Sequence, residues 1–271
     1  MRGRHMQGNF VFLGTGSSAG IPVIGCQCAV CKSTSPYNKR LRSAALVQVK
    51  GKNFIIDVGP DFRQQALQFH ISHLTAVLLT HSHADHIAGM DDLRAYYFLE
   101  KKKVPCLLSQ ETLDEIKLRY HYFFREPGPD KSFSAQIDFQ VLPEDFGHFE
   151  LEGLRFEYFS YFQMGVKVTG FRFGSLAYVS DIRNYTNQVI DALQGIDTLV
   201  LSALRSSPTK MHFSIEEAIA FSRRTSAKMT YLTHAGHELE YAATNALLPH
   251  DVRMSYDGLQ LPIEFSDQDI Q

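Results

Sequence analysis

The sequence predicts a layered α/β fold, and three observations carry that prediction. Short β-branched or aliphatic runs recur along the chain: FVFL, AALVQV, FIIDV, AVLLT, VPCLLS, LAYVS, DTLVLS and MTYLT. Helix-like stretches lie between several of them, at Phe62–Phe69, Asp91–Lys101, Gln110–Tyr122, Tyr185–Leu193 and Ser214–Arg224. The alternation holds in both halves, which favours mixed sheets covered by helices over an all-β or all-α chain. The last helix carries a written-out start signal. Ser214 with Glu217 three residues on forms a capping box, and Ile215, Ala218 and Ile219 follow on one face. With 271 residues and 44% hydrophobic content the chain can build a full core without staples. No internal repeat or linker divides it, so one domain over residues 9–271 is the simplest count. The polar segment 1–8 (MRGRHMQG) reads as a tail, and REPGPDKSFS, from Arg125 to Ser134, as a mobile insertion.

Charge excludes little. A net charge of -2 gives no global electrostatic reason to bind nucleic acid or an anionic membrane. No apolar run approaches the roughly 20 residues of a spanning helix, and FVFLG is too short for a secretory core. A cytoplasmic protein without a membrane partner is expected; a homodimer stays open.

Three of the four cysteines crowd into GCQCAVC, while Cys106 lies in the apolar run VPCLL. Spacings of one and two residues strain a disulfide but let thiolates on a turn converge on one tetrahedral ion. A redox-active or merely buried thiol cluster is the other reading. Cys106 has no metal-type neighbours and reads as an ordinary buried cysteine.

The strongest chemical signal is THSHADH, Thr80 to His86, directly after the strand-like AVLLT. His81 and His83 lie two apart, and Asp85 and His86 follow at once. A tight loop leaving a strand can aim alternate side chains at one point, so the first pair could hold one ion and the Asp–His pair a neighbour.

This segment resembles the signature of the metallo-β-lactamase superfamily, and the resemblance extends along almost the whole chain. FLGTGSSAGIP resembles the first strand and Gly-rich turn of that fold, and FIIDVGPDFRQQ a later strand end. LAYVSDI resembles the strand that delivers a bridging aspartate, YLTHAGHE the one that brings the final metal histidine, and YDGLQL the closing strand. The resemblance implies a four-layer αββα architecture, two mixed β-sheets sandwiched between helices, with Asp181 as bridge and His234 as last ligand. GCQCAVC, together with a second histidine three residues after that ligand, is similar to the PhnP subgroup of phosphoribosyl cyclic phosphodiesterases. There, three cysteines and this histidine bind a structural zinc, which implies a site of Cys26, Cys28, Cys31 and His237.

His212, in MHFSIEEA, falls where the subgroup has a histidine that protonates the leaving oxygen; a structural or surface role is the alternative. The pattern breaks at one position. The subgroup carries a further histidine shortly before G-[FY]-R, and stepping back from Gly170-Phe171-Arg172 lands on Gln163. One ion would then keep His81, His83 and a share of Asp181, while the other keeps Asp85, His86, His234 and the same bridge. One tight and one weak site are expected, holding one or two ions of zinc or manganese.

The function implied is a metal-dependent phosphodiesterase acting on a small cyclic or nucleotide-like phosphodiester. Metal-bound hydroxide would attack phosphorus, with Asp85 and His212 as catalytic residues. An RNA- or DNA-processing nuclease and a non-catalytic zinc-binding relic are the alternatives. Arg63 and Arg94 either meet substrate phosphate or pair with adjacent acids, and Tyr120–Phe124 reads as helix packing.

Overall fold

Six strands follow one another through the first half of the chain: β1 (Met6–Gly14), β2 (Ala44–Val49), β3 (Lys52–Ile56), β4 (Ala76–Leu78), β5 (Val104–Leu108) and β6 (Ile137–Val141). Seven more build a second sheet: β7 (Phe146–Leu151), β8 (Leu154–Gln163), β9 (Val166–Phe173), β10 (Leu176–Val179), β11 (Thr198–Ser202), β12 (Met229–Thr233) and β13 (Val252–Met254). The last strand, β14 (Gln260–Phe265), returns to the first sheet beside β1. The two sheet orders are β14-β1-β2-β3-β4-β5-β6 and β13-β12-β11-β10-β9-β8-β7. Both are mixed: β3 to β6 run parallel, as do β10 to β13, and antiparallel pairs flank each block. This computed structural model describes residues 6–125 and 134–270.

Period-two alternation explains why the strands read as unbroken apolar runs. In β1, Phe10 and Phe12 face the inter-sheet core, while Val11 and Leu13 face the helices outside. In β10, Leu176 and Tyr178 point inward, and Ala177 and Val179 outward. Both faces of these strands are covered, so neither face needs polar residues. Edge-to-face rings such as Phe54–Phe156, with centroids 4.8 Å apart, lock the inner layer between the sheets.

Helices cover the outer faces. On the first sheet, α2 (Phe62–Gln68), α4 (Arg94–Glu100) and α5 (Gln110–Arg119) bury Phe62, Tyr96, Leu113 and Ile116. On the second, α6 (Asn187–Ala192) and α7 (Ile215–Ser222) bury Val189, Ile190, Ala218 and Phe221, with Tyr241 of α8 (Tyr241–Leu247) packed beside them. Two one-turn helices, α1 (Ala29–Lys32) and α3 (Ala84–Ile87), lie in the cysteine and histidine loops. The layers are therefore helix, sheet, sheet, helix, as the sequence predicts. The capping box of α7 forms as expected, Ser214 Oγ accepting from the Glu217 N–H and the Glu217 carboxylate from the Ser214 N–H.

Some expectations change. The strand begins at Met6, and Met6, Gln7 and Gly8 pair with Phe265, Glu264 and Ile263, so these three are not part of a tail. Most of the expected mobile insertion, 126–133, lies outside the described residues. Asp61 pairs with Arg42 at 2.9 Å rather than with Arg63. Among the described residues no helix is long and apolar enough to cross a membrane.

Asp257, just before β14, latches that strand to the Gly-rich loop after β1. Its carboxylate accepts the Thr15 hydroxyl and the Leu41 N–H, both at 2.7 Å. Burial nevertheless pushes its carboxyl up from 3.8 to about 7. A folded value above the unfolded one means that the folded state holds an extra proton between about pH 4 and pH 7, so stability drains away as pH rises through that window. Asp257→Asn removes this slope. Urea unfolding at pH 5 and pH 7.5 is expected to show wild type losing on the order of 2–4 kcal/mol relative to the variant across the interval. Parallel stability curves would mean that the carboxylate stays charged throughout.

Candidate metal centre

The ends of β3, β4, β10 and β12 turn toward one point. At three of these ends the backbone enters the left-handed region: Asp57 (φ 65°), Asp181 (φ 54°) and His234 (φ 58°). Non-glycine residues adopt it at a cost, and the turn redirects a side chain that would otherwise continue the strand's alternation. Gly59 lets the histidine loop come close, since a Cβ there would stand 2.0 Å from the Asp85 carbonyl oxygen.

The loop after β4 supplies the imidazoles. His81 is fully buried, and its Nε2 lies 2.9 Å from Nδ1 of the half-buried His83. His86 Nε2 stands 3.2 Å from Asp181 Oδ2 and 3.4 Å from Asp85 Oδ2. His234 Nε2 stands 3.3 Å from Asp181 Oδ1 and 3.5 Å from Asp85 Oδ2. Three overlapping groups result, each with ligand atoms within 4.8 Å of one another: His81–His86–Asp181, Asp85–His86–His234 and Asp181–His212–His234. His83 meets the centre through His81, and Asp181 is common to two of the three groups.

The charges interlock. Burial opposes protonation of His86, but Asp57 and Asp181 outweigh it and hold the ring well above its ordinary value. Burial likewise works against charge on Asp181, yet His234 and His86 keep its carboxyl well below the usual range. His81 is held low by burial and by His86, and burial brings His212 down to about 4 despite Asp181.

The donor set fits divalent ions. Among the described residues, His86 Nε2, both ring nitrogens of His234 and Gln163 Oε1 are buried with no hydrogen-bond partner. Orphaned buried polar atoms are costly, and four of them around two carboxylates are explained by a cation between them. Imidazole and carboxylate are the donors that zinc and manganese take.

Asp57 is the functional residue that sequence reasoning missed. It is fully buried, and Oδ2 accepts His86 Nδ1–H at 2.6 Å, while the Thr80 N–H and hydroxyl satisfy its other lone pairs at 2.8–3.0 Å. Fixing Nδ1 as a protonated nitrogen makes Nε2 the atom that would give up its proton and turn its lone pair to an ion. The signal available was one acid ending the apolar run FIID. Asp57→Asn is expected to weaken metal affinity about 10–100-fold, read by competition with a chromophoric chelator; unchanged affinity would show that His86 needs no orienting partner.

A second cluster lies across the end of β12. Cys26, Cys28 and Cys31 place Sγ atoms 3.3, 3.5 and 3.7 Å from His237 Nδ1. Sulfur and nitrogen ligands of one tetrahedral ion stand about 3.6 Å apart, from bond lengths near 2.3 and 2.1 Å. Cys28 caps α1, accepting the Cys31 N–H, and that bond together with His237 draws its thiol down to about 6. Cys106, in β5, is fully buried, and burial pushes its thiol upward.

Residues 52–235 match the family model of the β-lactamase superfamily domain. The octanoyltransferase of Porphyromonas gingivalis (strain ATCC BAA-308 / W83) is 33% identical over 258 residues, which is 94% of this chain and 51% of that protein. The chain thus spans about half the length of that curated relative. Among solved structures, a new diphosphatase from the PhnP family aligns at TM-score 0.89 and 34% identity, covering 97% of this chain and 100% of that one. The Zn(2+)-bound PqqB from Methylobacterium extorquens aligns at TM-score 0.73 and 20% identity over 93% of this chain and 99% of that one, a likeness of fold alone. With the αββα layers, the converging histidines and aspartates and the Cys₃His cluster in place, the chain belongs to the metallo-β-lactamase superfamily, on its PhnP-like branch.

Proposed function

We propose that the chain hydrolyses a P–O bond in a small phosphodiester or diphosphate, using one or two divalent ions, zinc or manganese. The observation that carries this reading is the convergence of Asp85, His86, Asp181 and His234 around orphaned ring nitrogens. The 34% identity to a PhnP-family diphosphatase, over the whole of that chain, supports a phosphate substrate. The near-neutral charge favours a small substrate over a nucleic acid backbone.

Asp85, His86, Asp181 and His234 would hold one ion, and His81 and His83, with a share of Asp181, a second. Bound there, such ions supply an acidified water and positive charge where the phosphate gains negative charge. The chain's own residues do the rest. Asp57 and Thr80 keep His86 in one tautomer, and Ser180 Oγ donates to Asp181 Oδ2 at 2.5 Å, fixing the carboxylate shared by two ligand groups. Burial of these groups strips away competing water, so each charge acts at full strength. Cys26, Cys28, Cys31 and His237 would hold a structural zinc.

Bis-p-nitrophenyl phosphate and a nucleoside diphosphate, each with added manganese or zinc, test the reading against His83→Ala and Asp85→Ala. Wild type should turn over at least one substrate, and both variants should lose about 100-fold or more, the scale of a lost ligand or supporting partner. Activity surviving both substitutions rules out this centre. No turnover by wild type would favour a zinc-binding relic.

A further inference from the structure

Gln163 ends β8 where the resemblance places a metal histidine, yet its side chain is not idle. It is 1% exposed, and its Nε2 lies 3.2 Å from Asp181 Oδ1 and 3.1–3.2 Å from both ring nitrogens of His212. His212 sits in the same crowd, its Nδ1 3.2 Å from Asp181 Oδ1 and its ring stacked on His234 with centroids 4.9 Å apart at 26°. The ligand atoms of Asp181, His212 and His234 fall within 4.8 Å of one another.

The His212 backbone is also fixed. Its N–H donates to Thr209 Oγ1 at 2.9 Å, Thr209 donates back to the His212 carbonyl at 2.8 Å, and the next carbonyl accepts the Leu204 N–H at 3.0 Å. Such anchoring holds the residue beside Asp181 and His234, as a metal ligand requires.

We propose that His212 is a metal ligand in this chain, sharing an ion with Asp181 and His234, and that Gln163 is the residue that holds it there. The proposal rests on the metal-dependent hydrolase reading and refines its ligand set. An amide is a poorer donor than imidazole to zinc-like ions, so a glutamine at the end of β8 leaves the centre one imidazole short, and His212 restores the count from the loop between β11 and α7. Turning the Gln163 amide by 180° lets Oε1, now without a partner among the described residues, accept the His212 N–H; the Nε2 hydrogen bond to Asp181 Oδ1 is given up, and an ion between the two oxygens would take its place. The other ring nitrogen then offers its lone pair to the ion, the arrangement by which metal-binding imidazoles are oriented. A ring used in this way does not protonate the leaving oxygen, which takes its proton from water instead.

Metal affinity separates the two roles of His212. Protein stripped at the catalytic centre is titrated with Mn2+ and with Co2+ against a chromophoric chelator, and the visible Co2+ spectrum is recorded. His212→Ala is expected to weaken catalytic-site binding about tenfold or more and to alter the Co2+ bands, with the Cys₃His ion retained. Gln163→His combined with His212→Ala should recover affinity, which also shows that the loss was not misfolding. If His212→Ala abolishes turnover yet leaves affinity and spectrum unchanged, His212 is the proton donor and the proposal falls. A wild-type centre that takes up no ion at all would overturn the hydrolase reading and this proposal with it, a result distinct from an ion-binding centre indifferent to His212.

Discussion

Asp181→Asn is expected to lower kcat/KM by about 10³-fold or more, because metal catalysis contributes several kcal/mol and each 1.36 kcal/mol is a decade in rate. The size follows from where Asp181 stands. It lies within 3.2–3.3 Å of His86, His212 and His234, it is 1% exposed, and it belongs to two of the three ligand groups. Asparagine keeps the volume and one acceptor oxygen but removes the charge that two of the ligand groups share. Asp85 is the other carboxylate in these groups, and it lies 3.4–3.5 Å from His86 and His234. Steady-state rates together with metal content check the expectation. A variant with normal ion content and rates within tenfold of wild type would show that the shared carboxylate is dispensable. Folding is a separate readout, since a buried charge is weak evidence for stability and its removal need not lower the melting temperature.

How much of this was legible depends on how local each signal is. Strands buried on both faces announce themselves as apolar runs, so β1 to β5 and β10 to β12 could be read directly. β7 to β9 could not: β8 and β9 interleave their aromatics with Arg155, Glu157, Lys167 and Arg172, of which Arg172 pairs with Glu157 across the strands at 3.6 Å. The histidine loop was legible because its ligands sit within six residues of one another. Asp57 was not, because an aspartate at a strand end means little until the backbone turns left-handed and His86, 29 residues later, meets it. Gln163 was visible as a departure from a pattern, but its neighbours were not, since His212 reaches it from 49 residues away.

The link between the two clusters yields the second large expectation. His234 and His237 leave β12 three residues apart, one toward each cluster. Between them Ala235 donates to the Thr15 carbonyl and accepts the Ser17 N–H, both at 2.9–3.0 Å, so the Gly-rich loop and the end of β12 form one short ladder. The cysteine loop has little core of its own: Ile21, Val30 and Cys31 are its buried apolar residues. An ion closed in by Cys26, Cys28, Cys31 and His237 would therefore contribute most of its order. Structural zinc is worth roughly 10–16 kcal/mol in peptides that fold only with metal. Here three larger apolar layers form without it, so only a fraction reaches global stability. Cys31→Ser, which places a poorer donor at the most buried thiol of the cluster, is expected to cost about 3–5 kcal/mol, a melting point lower by roughly 6–15 °C. Proteolysis should open the loop near residues 21–32 first, and catalytic-site metal affinity should fall with it because His234 loses its anchored neighbour. Calorimetry with and without chelator, and peptide mapping of the first cleavage, measure both. A melting point unchanged by substitution and by chelator would mean that the thiols hold the loop without an ion, and that the end of β12 is positioned by the sheet alone.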